Sequence, residues 1–391
     1  MPLKIAVVTP DVPDPFGNAA ARWYYALAKG LALRGHRPVF LSAHPPSIPQ
    51  FSLDRASRAF TSIQVPLQLY KYPNGPWLAG KWRTVVRPYS HFISRDLQND
   101  LARRLRSGID VVNLEQMWAG YLGMDLERSL LSVHHLELLD LAGAPSPSWR
   151  FLVSKHLMQR AERFIATRTT WIRATTDRLR AELQGLNPSA RVFTVPVAID
   201  PDLYEFASPA RTNEYIGLIA SFNWTPGRNA GIRLLTRVWP KVKRIIPDAR
   251  LLIVGWHAKT VLQQFAEHPD VTVIENVPDT TEYFRKLSVL IYPLTQGSGM
   301  KIKLLEAMAL GTPVVTSTEG AEGLEIRNGH EAFVEDDDDA MAGRVAELVK
   351  DRSAAGRMAR SARALVEDHY SPMPVISKLE HVYEQVMSGE S

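Results

Sequence analysis

Short apolar runs alternate with longer segments of helical periodicity along most of this 391-residue chain. The first run, Lys4–Thr9, is followed by a loop rich in Pro, Gly and Asp, and then by Trp23, Leu27 and Leu31 at four-residue spacing. The next apolar run covers residues 39–41. A strand, a helix and a second strand in this order are typical of a β-α-β unit with parallel strands.

The alternation continues in two series, which are separated near residues 199–212 by a stretch where Pro, Ser and Asn cluster. We therefore predict an α/β fold of two doubly wound, Rossmann-like domains, residues 1–205 and 206–373, followed by a C-terminal helix in residues 374–391. Which domain this helix packs on is left open, and the Pro-rich residues 44–87 give no assignment. The further predicted strands are residues 110–114, 130–133, 172–174, 192–195, 216–220, 250–254, 271–274, 289–292, 313–316 and 333–334.

Composition and charge narrow the class of protein only in part. A content of 45% hydrophobic and 22% charged residues is typical of a globular protein. The net charge of +5 is compatible with an anionic small molecule, a membrane surface or nucleic acid. The lack of cysteine excludes disulfides and thiolate metal sites. Because no apolar run suits a signal sequence or a membrane span, we expect a cytoplasmic, non-spanning protein.

A glycine loop that opens a helix is the strongest candidate for chemistry. A predicted strand ends in Gly297-Ser298-Gly299, and the helix that follows stops at Gly311. Free backbone N–H groups and the helix dipole would bind phosphate there, and Lys301 or Lys303 would neutralise a diphosphate. Lys303 and Glu306 are three residues apart and share a helix face. Alone, the motif also fits an ordinary helix with an exposed Lys–Glu pair.

The wider sequence resembles the retaining glycosyltransferases of the large sucrose-synthase-like family, also called group 1. Their signature, Gly-x-Gly-x-x-x-Lys-x-x-Glu-Ala-Met-Ala-x-Gly-x-Pro-Val-Val followed by Gly-x-Glu-Gly-Leu, matches residues 297–315 and 320–324. Residues 216–226 and 247–255 resemble the opening of the family's donor domain. The resemblance implies the GT-B fold, with two Rossmann-like domains facing a central cleft. It also implies sugar transfer from a UDP- or GDP-linked donor with retention of configuration and without a metal or other cofactor.

The resemblance also assigns roles to residues of the second domain. Glu306 would hold the ribose hydroxyls, and the backbone at Val277 would contact the base. Eight residues before Glu306, where many members carry another glutamate, this chain has Ser298. The Arg and Lys that many members carry after the domain's first strand are also missing, so we expect Lys301, Lys303 and Arg228 to bind phosphate. The loop expected to face the diphosphate and the sugar is Gly297, Ser298, Gly299 and Met300.

In the first domain the resemblance is looser. Gly17, in the loop before the first helix, would approach the donor phosphates. His134 would lie beside the transferred sugar, with His135 as the alternative and as an acceptor contact; without the resemblance, a His pair that caps a buried strand is the simpler interpretation. Glu115 would either meet an acceptor or cap the following helix.

The sequence leaves several acceptors and several rival functions open. The acceptor would be a lipid-linked glycan, a polysaccharide or a small molecule, and we expect no nucleic acid. Residues 335–339 are interpreted as the exposed start of a helix and not as a metal site. The rivals are a GT-B epimerase or phosphorylase and a non-catalytic nucleotide-sugar-binding protein. Either peripheral membrane contact or a solvated basic face would explain Trp77, Lys81, Trp82, Arg83 and Arg87.

Overall fold

The computed structural model describes residues 2–73, 87–88, 90–142, 149–207, 215–265 and 268–389. The chain forms two compact units: Met1–Ala198 together with Pro372–Ser391, and Ile199–Ser371. The second unit thus starts a few residues before the predicted boundary at 205. The C-terminal helix, which the sequence left without a partner domain, belongs to the first unit.

Each unit contains one parallel sheet. Apart from β3, which was not predicted, the strands lie within three residues of the predicted bounds. In the part of the chain that is described, the first sheet has the order β3-β2-β1-β4-β5-β6-β7 and the second the order β10-β9-β8-β11-β12-β13. The predicted α/β fold of two doubly wound domains is therefore confirmed. The strands are Lys4–Thr9 (β1), Arg37–His44 (β2), Leu67–Lys71 (β3), Val111–Glu115 (β4), Ser129–Val133 (β5), Trp171–Ala174 (β6), Arg191–Thr194 (β7), Tyr215–Ile219 (β8), Arg250–Gly255 (β9), Val271–Glu275 (β10), Leu287–Tyr292 (β11), Val314–Thr316 (β12) and Phe333–Val334 (β13).

Helices connect the strands, as the alternation in the sequence predicts. Short 3-10 turns cover Ser90–Phe92, Met117–Leu122, Pro201–Leu203 and Gln263–Phe265, and a π-helical turn covers Leu234–Val238. The α-helices are Ala19–Leu33 (α1), Gln50–Ser62 (α2), Arg95–Arg106 (α3), Glu137–Asp140 (α4), Trp149–Ala166 (α5), Asp177–Leu186 (α6), Thr225–Arg233 (α7), Trp239–Ile245 (α8), Ala258–Leu262 (α9), Thr281–Phe284 (α10), Ile302–Leu310 (α11), Asp338–Lys350 (α12), Arg352–His369 (α13) and Pro372–Ser388 (α14).

Helix α14 packs on α1 at a glycine. A Cβ atom added to Gly30 would lie 2.4 Å from the side chain of Ile376, so the two helices approach closely only because Gly30 has none. Glu380 on α14 forms ion pairs with Arg34 at 2.5 Å and with His36 at 2.7 Å. These contacts explain why a helix at the end of the chain belongs to the N-terminal unit.

Both strand orders reverse direction once, and this reversal positions the loops of interest. The reversal falls between β1 and β4 in the first sheet and between β8 and β11 in the second. Loops that follow the two strands at such a point diverge to opposite faces of the sheet and leave a crevice at the carboxyl ends of the strands. Each unit therefore has a preferred place for a ligand.

Candidate functional site

The predicted glycine loop lies at the reversal point of the second unit. Residues 293–301 follow β11, and the loop with Trp224 follows the neighbouring strand β8. Gly297 has a φ of +128°, and a Cβ atom there would lie 3.0 Å from the ring of Trp224. A side chain at this position would therefore be strained and would push the two loops apart.

Helix α11 begins directly after this loop, as predicted. Lys301 occupies the N-cap position, and its side chain makes no capping hydrogen bond. A lysine carries only donors and cannot accept from the first N–H groups of the helix. The N–H group of Leu304 donates instead to the carbonyl oxygen of Lys301 at 2.9 Å. The helix ends at Gly311, whose φ is +83°.

Lys303 and Glu306 form the predicted pair on one face of α11. The Lys303 Nζ atom lies 2.7 Å from Oε2 of Glu306 and 3.0 Å from the hydroxyl oxygen of Thr280. The Glu306 residue is only 1% exposed, and its Oε1 atom accepts a 3.4 Å hydrogen bond from the hydroxyl of Tyr204. A buried carboxylate is costly without strong partners, so this pair differs from the exposed Lys–Glu pair of an ordinary helix.

Lys301 has a different environment from Lys303. Its side chain is buried, its ammonium group donates to the carbonyl oxygen of Gly299, and Nζ lies 3.4 Å from Oε2 of Glu322. Lys301 therefore connects the glycine loop with the segment that follows β12. Its assignment as a phosphate ligand stays a prediction.

The other predicted donor contacts also follow strands of the second sheet. Ser298 is buried and Met300 is half-buried in the glycine loop, while Arg228 is exposed near the start of α7. Val277 is half-buried two residues beyond the end of β10. All four lie on segments that leave the carboxyl ends of the strands, where the ligands of open sheets bind.

Arg233 is a residue of this site that the sequence did not indicate. It is 7% exposed, and its Nε atom donates to Oδ1 of Asp338 at 2.8 Å. Its Nη1 atom lies 3.3 Å from the carbonyl oxygen of Pro293 and 3.4 Å from that of Leu294, where the glycine loop begins. The interpretation of residues 335–339 as an exposed helix start is wrong at Asp338, because this carboxylate is buried against Arg233.

The reversal point of the first unit holds Glu115 and His134. Glu115 is fully buried, and its Oε2 atom lies 2.7 Å from Nε1 of Trp23 and 2.6 Å from Nε2 of His134. Its Oε1 atom accepts a 2.6 Å hydrogen bond from the side-chain amide of Asn113. The predicted contact of Glu115 with an acceptor is therefore wrong, since protein donors surround the carboxylate. The alternative helix cap is also wrong, because Gln116 precedes the next helical turn.

The two histidines after β5 differ in burial. The side chain of His134 is 11% exposed, and the rings of Trp23 and Tyr24 pack edge-on against it. The side chain of His135 is 35% exposed and lies 3.9 Å from Glu137. His134 is thus held in one place by its neighbours, whereas His135 is accessible.

Two predicted features belong to other parts of the first unit: Gly17, and the aromatic and basic side chains between residues 77 and 87. A Cβ atom on Gly17 would lie 2.8 Å from the side chain of Ala21, so the loop before α1 is tightly packed at this point. Arg87 lies 5.9 Å from the ring centre of Tyr121. The rest of that segment, namely Trp77, Lys81, Trp82 and Arg83, lies outside the described residues.

The described residues offer neither a cluster of metal ligands nor a helix that could span a membrane. Among the described residues, no group of three or more His, Asp or Glu side chains is placed to hold a metal ion. Within the same ranges, every helix is too short or too polar to cross a membrane.

Comparison with known proteins places a family match on the second unit. Residues 213–351 match the family of glycosyl transferases group 1. The chain is 27% identical over 119 residues to CapM of Staphylococcus aureus, a capsular polysaccharide biosynthesis glycosyltransferase, covering 30% of this chain and 31% of that protein. It is 23% identical over 276 residues to trehalose synthase of Pyrococcus horikoshii, covering 64% of this chain and 62% of that protein. The chain thus spans less than two thirds of either relative.

Solved structures resemble the fold over nearly the whole chain. Sucrose-phosphate synthase from Thermosynechococcus elongatus matches with a TM-score of 0.69 and 16% identity, over 99% of this chain and 100% of that one. Anabaena HepE, solved in complex with UDP-glucose, matches with a TM-score of 0.66 and 12% identity over the same shares. At these identities the likeness concerns the fold, and it confirms the predicted GT-B class.

Proposed function

We propose that this chain, whose residues 213–351 match the group 1 glycosyl transferases, is a glycosyltransferase that takes a hexose from a nucleoside diphosphate donor with retention of configuration. The observation that carries the proposal is the buried Glu306, which pairs with Lys303 at 2.7 Å in the first turns of the helix that follows the glycine loop. Anabaena HepE, which has the same fold, was solved with UDP-glucose, so we favour a UDP-linked donor.

Each part of the loop and helix suits one part of such a donor. A carboxylate accepts hydrogen bonds from two neighbouring hydroxyls, which fits Glu306 to the ribose. The ammonium group of Lys303 and the positive end of the α11 dipole would stabilise the charge that develops on the leaving diphosphate. Arg228 would add a second cation. These groups would supply the charge compensation without a metal ion, and His134 would lie beside the transferred sugar.

Incubation with a panel of UDP- and GDP-linked sugars tests this function. We expect chromatography to detect slow nucleotide release from one UDP-hexose, faster release when a suitable acceptor is added, and no loss of rate in EDTA. Binding without release would favour the non-catalytic alternative, and conversion of the sugar without an acceptor would favour the epimerase. A protein that binds none of the donors in calorimetry would contradict the proposal altogether.

The acceptor side of the proposal rests on one exposed helix face. On α5, Trp149 is 70% exposed, Leu152 54% and Val153 50%. Further along the same helix, Arg160 and Arg163 are exposed. An aromatic and aliphatic face followed by cations suits the interface of an anionic bilayer. We therefore propose peripheral contact with such a membrane and favour a lipid-linked acceptor over a small metabolite; the polysaccharide acceptor stays open, since CapM is a capsular polysaccharide enzyme.

Flotation with lipid vesicles tests the membrane contact. We expect the protein to bind vesicles rich in phosphatidylglycerol and not pure phosphatidylcholine. The double substitution Trp149→Ser and Leu152→Ser should weaken binding at least about tenfold, because each buried apolar side chain contributes about 1.5–3 kcal/mol. Trp256 and Ile245, 54% and 41% exposed in the other unit, are the matched control pair. Equal losses in both double variants, or no loss in either, would exclude α5 as the contact.

A further inference from the structure

Three buried polar side chains lie side by side on neighbouring strands of the first sheet, and we call them the polar row: Glu115, Ser132 and Arg173. Glu115 on β4 is the register partner of Ser132 on β5, and Ser132 is the partner of Arg173 on β6. All three residues are fully buried. A buried charge is stable only with close partners. The partners of Glu115 and Arg173 therefore determine the protonation state of the groups in this row.

Arg173 supplies a fixed positive charge to the row. Its Nη1 atom lies 4.0 Å from Oε1 of Glu115, and its guanidinium carbon lies 4.3 Å from the ring centre of Trp23. Its Nε atom donates to the carbonyl oxygen of Val195 at 3.0 Å, and Nη2 donates to that of Pro196. Because an arginine keeps its proton in proteins, the charge of Glu115 already has a permanent counter-charge without His134.

The carboxyl of Glu115 is ionised at neutral pH. Burial acts to raise its pKa, but the hydrogen bond from His134, the charge of Arg173 and the bond from Trp23 together hold the pKa below its usual range. An ionised carboxylate can only accept hydrogen bonds. The nitrogen of His134 that faces it, Nε2 at 2.6 Å, must therefore carry a hydrogen.

The imidazole of His134 is neutral at neutral pH. Burial lowers its pKa, the carboxylate of Glu115 opposes this shift only in part, and Arg173 and His135 add to the lowering. Two further titratable groups are near this row: the ring of Tyr24 packs on the imidazole, and Tyr383 interacts with Glu115 and Arg173. Burial raises the pKa of both hydroxyls, so both are uncharged at neutral pH. A neutral ring with its hydrogen on Nε2 has a lone pair on Nδ1. Among the described residues, no group forms a hydrogen bond with Nδ1.

We infer that Glu115 is a positioning residue: it fixes His134 in the Nε2–H tautomer, so that Nδ1 accepts a hydrogen bond from a hydroxyl of the bound sugar. That the hydroxyl belongs to a sugar rests on the proposed function, whereas the tautomer of His134 does not. Glu115 itself never contacts substrate. It acts through the orientation and the hydrogen placement of His134, as second-layer carboxylates do for other functional histidines.

The tautomer can be measured in the wild-type protein without any activity. In a sample labelled with 15N-histidine, the two ring nitrogens of His134 are assigned by their disappearance in His134→Asn. We expect shifts of a neutral Nε2–H ring between about pH 7 and 8. An Nδ1–H ring or a doubly protonated ring in this range would overturn the inference. Failure of the proposed function would leave this spectrum unchanged, so the two failures are distinguishable.

Glu115→Gln tests the consequence for turnover. In Glu115→Gln the amide oxygen can still accept from Trp23 and His134, but a neutral amide holds the hydrogen on Nε2 more weakly than a carboxylate does. We therefore expect a larger share of the Nδ1–H tautomer, about a tenfold loss of kcat and little change in KM for the donor. Since Glu115 raises the pKa of His134, its removal should move the acid limb of the pH profile to lower pH. If Glu115 only stabilised the fold, its substitution would lower the fraction of active protein and leave the acid limb of the pH profile unchanged.

A matched control distinguishes the two hydrogen bonds that Oε2 of Glu115 accepts, one from Trp23 and one from His134. Trp23→Phe removes the 2.7 Å bond to Glu115 but not the bond to His134, so the Nε2–H tautomer and the acid limb should persist. Glu115→Gln leaves Arg173 without its anion and is at risk of unfolding. If it does not fold, the wild-type spectrum alone decides the tautomer. A folded Glu115→Gln protein with the wild-type tautomer and kcat would refute the assignment.

Discussion

Replacing Glu306 with glutamine is expected to weaken UDP binding about 100-fold. Glutamine has nearly the same shape, but it replaces an ionised acceptor with a neutral amide. A hydrogen bond to a charged group contributes about 1.5–3 kcal/mol, and two ribose hydroxyls would each lose part of that. A loss near 3 kcal/mol corresponds to about two orders of magnitude in Kd. Lys303 stays hydrated in the variant, because its side chain is 21% exposed.

A deoxynucleotide makes this test specific for the ribose. We expect wild-type protein to bind UDP about tenfold more tightly than 2′-deoxy-UDP in calorimetry, and Glu306→Gln to bind the two nearly equally. Glu347 is the control: it also pairs with a basic residue at three-residue spacing, Arg344 at 2.9 Å, but it is 43% exposed. Glu347→Gln should retain both affinities. If Glu306→Gln binds UDP like the wild type, Glu306 does not hold the ribose.

The strands could be predicted from the sequence because the interior strands of a parallel sheet are buried on both faces and form short continuous apolar runs. Strand β3 was not predicted. It lies at the edge of its sheet, and none of the residues of Leu67–Lys71 is fully buried. The edge strand β10 has no buried residue either, but its sequence Val271-Thr272-Val273-Ile274 still forms a nearly continuous apolar run. In β3 apolar and polar side chains alternate instead, and the Pro-rich segment around it gave no assignment.

The candidate site was predictable where its parts are neighbours along the chain. The glycine loop, α11 and the Lys303–Glu306 pair all lie within about one turn or loop of each other, and local spacing fixes them. Glu115 is different, because its partner Trp23 is 92 residues away. Only the strand order brings these two together, so the sequence suggested an accessible acid where the fold buries one.

Arg233 is the second residue that local spacing could not reveal, since Asp338 lies 105 residues further along the chain. Within the sequence it is one cation in a helical segment. In the fold it connects α7, the start of the glycine loop and the start of α12. A buried arginine with several different acceptors holds backbone segments in a fixed relation, so its role here is to keep the loop in shape.

Arg233→Ala is expected to lower the free energy of unfolding by about 3 kcal/mol. Removal of the guanidinium leaves the carbonyl groups of Pro293 and Leu294 without this donor, and it takes one cation from the buried Asp338. The loss should stay near the lower end of the range for broken buried pairs, because Arg237 still contacts Asp338 at 2.6 Å. Urea titration followed by tryptophan fluorescence measures the change, and loss of the loop geometry should weaken UDP binding as well.

Arg237 provides a control that contacts the same carboxylate from the surface. Its side chain is 64% exposed, so Arg237→Ala should cost no more than about 1 kcal/mol and should leave UDP affinity intact. Arg233→Lys keeps the charge but not the fork of donors, and we expect it to recover only a small part of the stability. Similar losses for Arg233→Ala and Arg237→Ala would mean that Asp338 needs either cation equally. The glycine loop would then depend on its own backbone and on Lys301, and not on Arg233.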